Sequence, residues 1–216
     1  MRTKFDQEES EAVLQVDASN AFNAINRKAF LHNVGIVCPP LAVFVRNCYA
    51  ENLRLFVIGG VELSSREGTT QGDPVAMAIY AVAIIPLILM LVEASVAQNH
   101  ATISAGFADD LTAAGKIDEL LFWWKKLCSL GPDFGYYPEA TKSWLITKQR
   151  FETVARNTFR DSKVNITIEG KRHLGATIGS EGYKKSFVWD KVKELIDQLK
   201  VLSKIAHIEP QAAYKS

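Results

Sequence analysis

The sequence predicts an α+β fold, an antiparallel sheet with helices packed on one face, and three observations lead there. Apolar runs of strand length occupy residues 11–17 and 143–147 and flank the acidic pair Asp109-Asp110 on both sides. Between them lie segments whose apolar residues recur at helical spacing, as in Ile117, Leu120, Leu121, Trp124 and Leu127. The order strand, helices, hairpin, then helix and strand packs most simply as one sheet under one helical layer.

In chain order, residues 11–17 (Glu-Ala-Val-Leu-Gln-Val-Asp) form a strand that ends on the carboxylate of Asp17. A helix over 27–33 is expected to close at Gly35, and Pro39-Pro40 opens a second helix through Phe44 and Tyr49. Residues 53–58 and 61–65 flank Gly59-Gly60 as a hairpin with a glycine turn. The loop 67–72 leads through Asp73-Pro74, an N-cap and N1 pair, into a long apolar helix. Its core, 75–92, carries no charge and reaches the length of a membrane span. Pro86 interrupts it, Asp73 and Glu93 flank it, and no Lys or Arg cluster anchors either end. We therefore expect a helix buried on most sides against the sheet, and no membrane. Residues 101–107 and 111–114 are the arms of a hairpin with Asp109 and Asp110 at its turn. A helix over 116–130 ends at Gly131-Pro132, and then come a strand at 143–147, a helix at 151–159 and a hairpin pairing 164–168 with 173–178. The last element is an amphipathic helix over 187–207 with lysines outward.

A chain of 216 residues is long enough to bury about 70% of its unfolded surface. Lys+Arg 25 against Asp+Glu 24 gives a net charge of +1, ordinary for a soluble globular protein and unlike a strong phosphate binder. Cys38, Cys48 and Cys128 are odd in number and lack C-x-x-C spacing, so neither a disulfide framework nor a zinc site is indicated. Residues 1–11 are charged and hold no apolar segment, so no signal peptide is read and an intracellular location, cytoplasm or nucleus, is expected.

The chemistry centres on Asp109-Asp110. Alone, the pair reads as a solvated turn. If the sheet brings Asp17 beside it, three carboxylates can hold two Mg²⁺ ions about 3.5–4 Å apart, the arrangement used for phosphoryl transfer.

At these positions the sequence resembles a family. Asp17-Ala18-Ser19-Asn20-Ala21-Phe22-Asn23, Gln71-Gly72-Asp73-Pro74 and Phe107-Ala108-Asp109-Asp110 resemble, in order, the first three palm motifs of reverse transcriptases. Gly135 with Lys142-Ser143 resembles the motif that supplies a lysine near the leaving pyrophosphate, and His173-Leu174-Gly175 resembles the primer grip. The flavour is that of retrotransposon enzymes. The resemblance implies a polymerase palm over residues 1–180 and, at 181–216, a C-terminal helix that starts a thumb or connection. It implies RNA-directed DNA synthesis by two-metal nucleotidyl transfer, with Asp17, Asp109 and Asp110 as catalytic metal ligands for Mg²⁺ or Mn²⁺ and Lys142 as a catalytic cation. Phe22, Gln71 and Gly72 would bind the nucleotide, the Phe22 ring excluding a 2′-hydroxyl, and Leu174 and Gly175 would hold the primer. The partners implied are an RNA or DNA template with its primer and deoxynucleoside triphosphates.

The sequence also departs from the family. Ala76-Met77 stands where many relatives have Ser-Pro, and sixteen residues precede Asp17, so fingers are expected to be absent and the thumb truncated. Trp123, Trp124 and Trp144 can serve either as core or as base-stacking groups; we read them as core because Trp124 sits on the apolar stripe. Two functions stay open: a catalytic palm that is weak or inactive alone, and a non-catalytic retroelement remnant or domesticated nucleic-acid-binding or interaction protein.

Overall fold

The structure is a computed structural model and describes residues 1–70 and 72–211. The chain runs α1 (Arg2–Asp6), β1 (Ala12–Val16), α2 (Ala21–Ala24), α3 (Arg27–Val37), α4 (Pro39–Tyr49), β2 (Leu53–Val57), β3 (Val61–Ser65) and α5 (Ala76–Ala97). It continues with β4 (Ile103–Phe107), β5 (Asp110–Gly115), α6 (Ile117–Leu130), β6 (Trp144–Thr147), α7 (Glu152–Thr158), β7 (Asn165–Thr167), β8 (Gly170–His173), β9 (Ala176–Gly179) and α8 (Glu181–Ile208).

β1 is the middle of a five-stranded sheet ordered β4-β5-β1-β6-β7. Its near-continuous apolar sequence follows from cover on both faces. Ala12, Leu14 and Val16, with Leu111, Ala113 and Leu145, point into the main core, where Phe30, Ile79, Leu87, Leu120 and Trp123 of α3, α5 and α6 meet them. Val13, Ala114 and Ile146 point to the other face and are covered by Phe5 of α1 and Ile178 of β9. That second cluster is small and seals only one end of its face. The other end stays open, between the sheet and the β8–β9 hairpin.

The α+β class stands, with several corrections of detail. The sheet is mixed, because β7 runs parallel to β6 after the α7 crossover. Residues 164–168 therefore do not pair with 173–178; instead β8 pairs with β9 across Leu174-Gly175, where φ values of 47° and 81° suit a type I′ turn. The β4–β5 turn is Ala108-Asp109, and Asp110 opens β5 opposite Phe107. Ala108 alone takes a positive φ there, 53°, the pattern of a type II′ turn. α3 runs through Gly35 to Val37, since one internal glycine costs only about 1 kcal/mol and Phe30 and Val34 are buried. α5 starts at Ala76, not at Pro74; Asp73 accepts from the Val75 amide at 2.9 Å as an Asx turn ahead of the helix.

α5 is long and apolar enough to cross a membrane by length and composition. Its Ile79, Tyr80, Ala83, Ile84, Leu87 and Leu91 are buried, yet Met77, Leu89, Met90 and Val96 are exposed, so the expectation of burial on most sides is corrected to burial on one.

α8 is anchored at its first turn. The Ser180 side chain accepts from the Tyr183 amide at 3.2 Å, and the buried Lys184 ammonium donates to Asp6 at 2.8 Å and to Glu181 at 2.9 Å. Burial opposes the Lys184 charge, but the hydrogen bonds and charges of Asp6 and Glu181 prevail and hold it above its ordinary 10.5. A raised value means that the pair stabilises fully below the unfolded-state pKa and that this support is lost as pH rises through the folded one. Lys184→Met is expected to cost about 1 kcal/mol at neutral pH, the partners being solvent-screened, with the gap to wild type narrowing above pH 10.5. Urea denaturation at neutral and alkaline pH measures it. A gap that does not change with pH would remove the pair from the stability of this helix.

Candidate active site

Asp17 lies one residue past the end of β1, and Asp110 is the first residue of β5. Their neighbours Val16 and Leu111 are direct cross-strand partners, so strand pairing alone sets the two carboxylates side by side at the open end of the sheet. The Asp17 backbone is clamped by the segment that leads into β6: its amide donates to the Ser143 hydroxyl at 3.3 Å, and its carbonyl accepts from the Glu139 amide at 2.8 Å. Ser143 is fully buried and in turn donates to the Glu139 carbonyl at 2.8 Å.

Asp17 and Asp110 line a cavity of about 430 Å³ between the sheet and β8–β9. Trp144 lines it from the sheet, Lys142 lies at its rim, Lys171 and Arg172 of β8 complete the wall, and His173 and Leu174 close its end. The cavity thus sets two carboxylates near the ammonium groups of Lys142 and Lys171, whereas Arg172, of the opposite strand parity, acts on Glu194 of α8. Burial pushes the Asp110 carboxyl above the usual carboxylate range; the Asp109 and Asp17 charges add to that, and His173 offsets part of it. His173 is shifted down by its own burial, which outweighs the pull of Asp110. Clustered like charges of this kind favour a divalent cation as partner. The donor chemistry fits Mg²⁺, with Asp17 and Asp110 as the residues to hold it, but the ligand set is not pre-assembled. Among the described residues no three His, Cys, Asp or Glu side chains converge closely enough to bind a metal ion.

Asp109 stands apart from the cavity lining. Its carbonyl accepts at 3.0 Å from the hydroxyl of the fully buried Tyr136, which ties the β4–β5 turn to the segment after α6. Tyr136 is held well above its normal pKa by burial first, then by Tyr80 and the charges of Asp109, Asp110 and Asp17, so it remains a donor. The Phe22 ring, half-buried, rests on Tyr80 at 4.8 Å between centroids. Phe22 therefore packs against the core, beside a Tyr80 whose hydroxyl feels the charge of Asp109.

The glycine-containing loop before α5 is held by one buried arginine. Arg27 donates to the carbonyls of Ser65 at 2.8 Å, Glu67 at 3.0 Å and Gly68 at 3.0 Å. Further along, the Tyr49 hydroxyl donates to Asp73 and accepts from the Thr70 amide. Gly72 is exposed, with φ +91°. Gln71 lies outside the described residues. Lys142 is exposed at the cavity rim, and Gly175 is exposed in the β8–β9 turn.

No family model and no curated protein matches the sequence. Solved structures do. The chain resembles part of telomerase. Apo telomerase from Candida tropicalis superposes with a TM-score of 0.61 at 9% identity, over 82% of this chain and 33% of that one. Telomerase from Candida albicans in complex with the TWJ fragment of telomeric RNA gives 0.53 at 8% identity, over 68% and 29%. The Candida tropicalis enzyme with the same type of RNA fragment gives 0.51 at 10% identity, over 68% and 28%. At these identities the likeness is one of fold, and the chain spans about a third of the telomerase chains it matches.

Within this telomerase-like fold the structure adds Tyr136 to the residues read from the sequence and gives Ser143 and Trp144 places that the sequence did not show. Ser143 positions Asp17, and Tyr136 holds the Asp109 turn. Trp144, expected in the core, belongs to neither buried cluster and lines the cavity instead. Strand parity places it there: Trp144 and Ile146 share a face, and that face is the second one.

Proposed function

We propose that this chain is the palm of an RNA-directed DNA polymerase of retrotransposon type and that nucleotidyl transfer takes place in the cavity beside Asp17 and Asp110. The observation that carries this reading is the juxtaposition of those carboxylates, on adjacent strand ends, with Lys142 and Lys171 at the same cavity. In the reaction, the primer 3′-oxygen forms a bond to the α-phosphorus of a deoxynucleoside triphosphate, the bond from that phosphorus to the bridging oxygen breaks, and pyrophosphate leaves. Asp17, Asp110 and Asp109 are the residues to hold divalent ions, which when bound stabilise the attacking and leaving oxygens. Lys142, at the rim, neutralises pyrophosphate as it departs. Phe22, resting on Tyr80, is a rigid floor for a deoxyribose and leaves no room for a 2′-hydroxyl. The template is RNA, in keeping with the telomerase-like fold and the order of the motifs.

The test is primer extension on an RNA template with Mg²⁺ or Mn²⁺, at low and physiological salt, with the double variant Asp109→Asn, Asp110→Asn as control. Alignment of reacting groups supplies on the order of 7–11 kcal/mol of barrier reduction, and two lysines at one cavity align little of a triphosphate and duplex. The expected result is weak single-nucleotide addition at low salt, absent in the double variant and lost at physiological salt because few phosphates are neutralised. Addition that persists in the double variant would remove Asp109 and Asp110 from catalysis. No addition under any condition, with strand binding retained, would favour the non-catalytic reading, which the unconverged carboxylates support.

A further inference from the structure

We infer that the floor of this cavity is a subsite for one unpaired nucleotide of a polynucleotide strand, with its base lying on the Trp144 ring; the inference rests on the nucleotidyl-transfer reading and deepens it. The register places Thr112, Gln15 and Trp144 in one row across β5, β1 and β6, with Gln15 paired to both neighbours. All three residues line the cavity, directly inward of Asp17 and Asp110. Trp144 is half-buried, and Lys171 of β8 holds its ammonium 3.9 Å from the indole centroid. Next to it, the Gln15 Nε2 is buried and has no hydrogen-bond partner among the described residues.

Each feature by itself is unremarked in proteins: a lysine over an aromatic ring, a strand glutamine, a cationic rim. Together they match the chemistry of one nucleotide. A base offers a π-face for Trp144 and edge acceptors for the Gln15 amide, and its phosphate suits Lys171 and Lys142 at the cavity mouth. An acidic peptide would use the cations but not the ring, and an uncharged aromatic ligand would use the ring but not the cations. The volume, about 430 Å³, lies within the range of ligand sites and is enough for one nucleotide but not for a base pair. Lys171 covers the ring in the free chain and turns to the phosphate when a base takes its place.

Trp144 fluorescence reads this directly. Trp123 and Trp124 are buried, whereas Trp189 on α8 is 73% exposed, so Trp189→Phe leaves Trp144 as the solvent-reachable emitter. In that background, a short oligothymidylate at low salt is expected to quench the emission saturably. Trp144→Leu is expected to abolish the quench and to weaken binding about tenfold, read by anisotropy of a labelled oligothymidylate. Lys171→Ala is expected to weaken binding and lower the salt slope by about one unit, which keeps the question answerable if Trp144→Leu fails to fold. Binding by folded Trp144→Leu within about twofold of its parent overturns the subsite. Quenching by thymidine triphosphate equal to that by the oligonucleotide overturns its assignment to a strand. Primer extension run alongside separates the two readings: quenching without extension counts against the polymerase, and extension without quenching counts against the subsite.

Discussion

Gly135→Ala is expected to destabilise the protein by about 3–5 kcal/mol, at the upper end for a single substitution. Gly135 has φ +73°, where an L side chain costs about 1–2 kcal/mol. A Cβ there would also overlap the Ala24 carbonyl oxygen and the Asn26 nitrogen and lie 2.7 Å from the Ile25 carbonyl carbon. All three are backbone atoms, and they cannot retreat cheaply. The Asn26 amide donates to the Phe134 carbonyl at 3.0 Å, and the Asn26 side chain caps α3 by accepting from the Ala29 amide at 2.9 Å. Moving that segment would shift α3 and also Tyr136, the next residue, whose hydroxyl holds the Asp109 turn. For a chain of this size the loss corresponds to a fall in Tm of about 6–20 °C. Urea denaturation with an unchanged m-value measures it; a loss under about 1 kcal/mol would show that the Ala24–Asn26 backbone is not a fixed wall.

Arg27→Met is expected to cost about 3 kcal/mol, with a fall in Tm of about 6–12 °C. Arg27 is 5% exposed, and its guanidinium serves the carbonyls of Ser65, Glu67 and Gly68, which the methionine would leave without a buried donor. Each such loss costs roughly 1–3 kcal/mol, partly recovered as the loop opens to water. Burial lowers the Arg27 pKa, with the charges of Glu67 and then Tyr49 acting the other way. The effect should centre on the loop before α5. Hydrogen exchange is expected to rise at Gly68 and Thr69, whose amides donate to Ile25 and Phe22, while the β1–β5 amides stay protected. Faster exchange across β1 and β5 as well would mean that Arg27 supports the whole core and not one loop.

Much of the local structure was legible. The apolar alternation of helix α6, the glycine turn between β2 and β3 and the proline start of α4 follow from residues a few positions apart, and all three elements form where their patterns place them. Where the reading failed, a longer-range contact overruled a local signal. Gly35 did not end α3 because Val34 and Phe30 are drawn into the core. Residues 165–167 did not pair with the next strand because α7 carries them back beside β6 in parallel. Trp144 was grouped with its neighbours in composition, Trp123 and Trp124, although helix stripe and strand parity send them to different places.

The sequence by itself determined the α+β class, the order of the elements and the presence of carboxylates at Asp17, Asp109 and Asp110 in motif contexts resembling a reverse transcriptase. These depend on side-chain period, turn residues and short spacings, which are local. Only the tertiary structure decided that Asp17 and Asp110 share a cavity while the Asp109 carbonyl is held by Tyr136, and that Gln15, Thr112 and Trp144 form one row beneath them. Those facts depend on strand register between segments far apart in the chain. A register slip of one residue would send every side chain to the opposite face, and nothing within either strand alone records which register is taken.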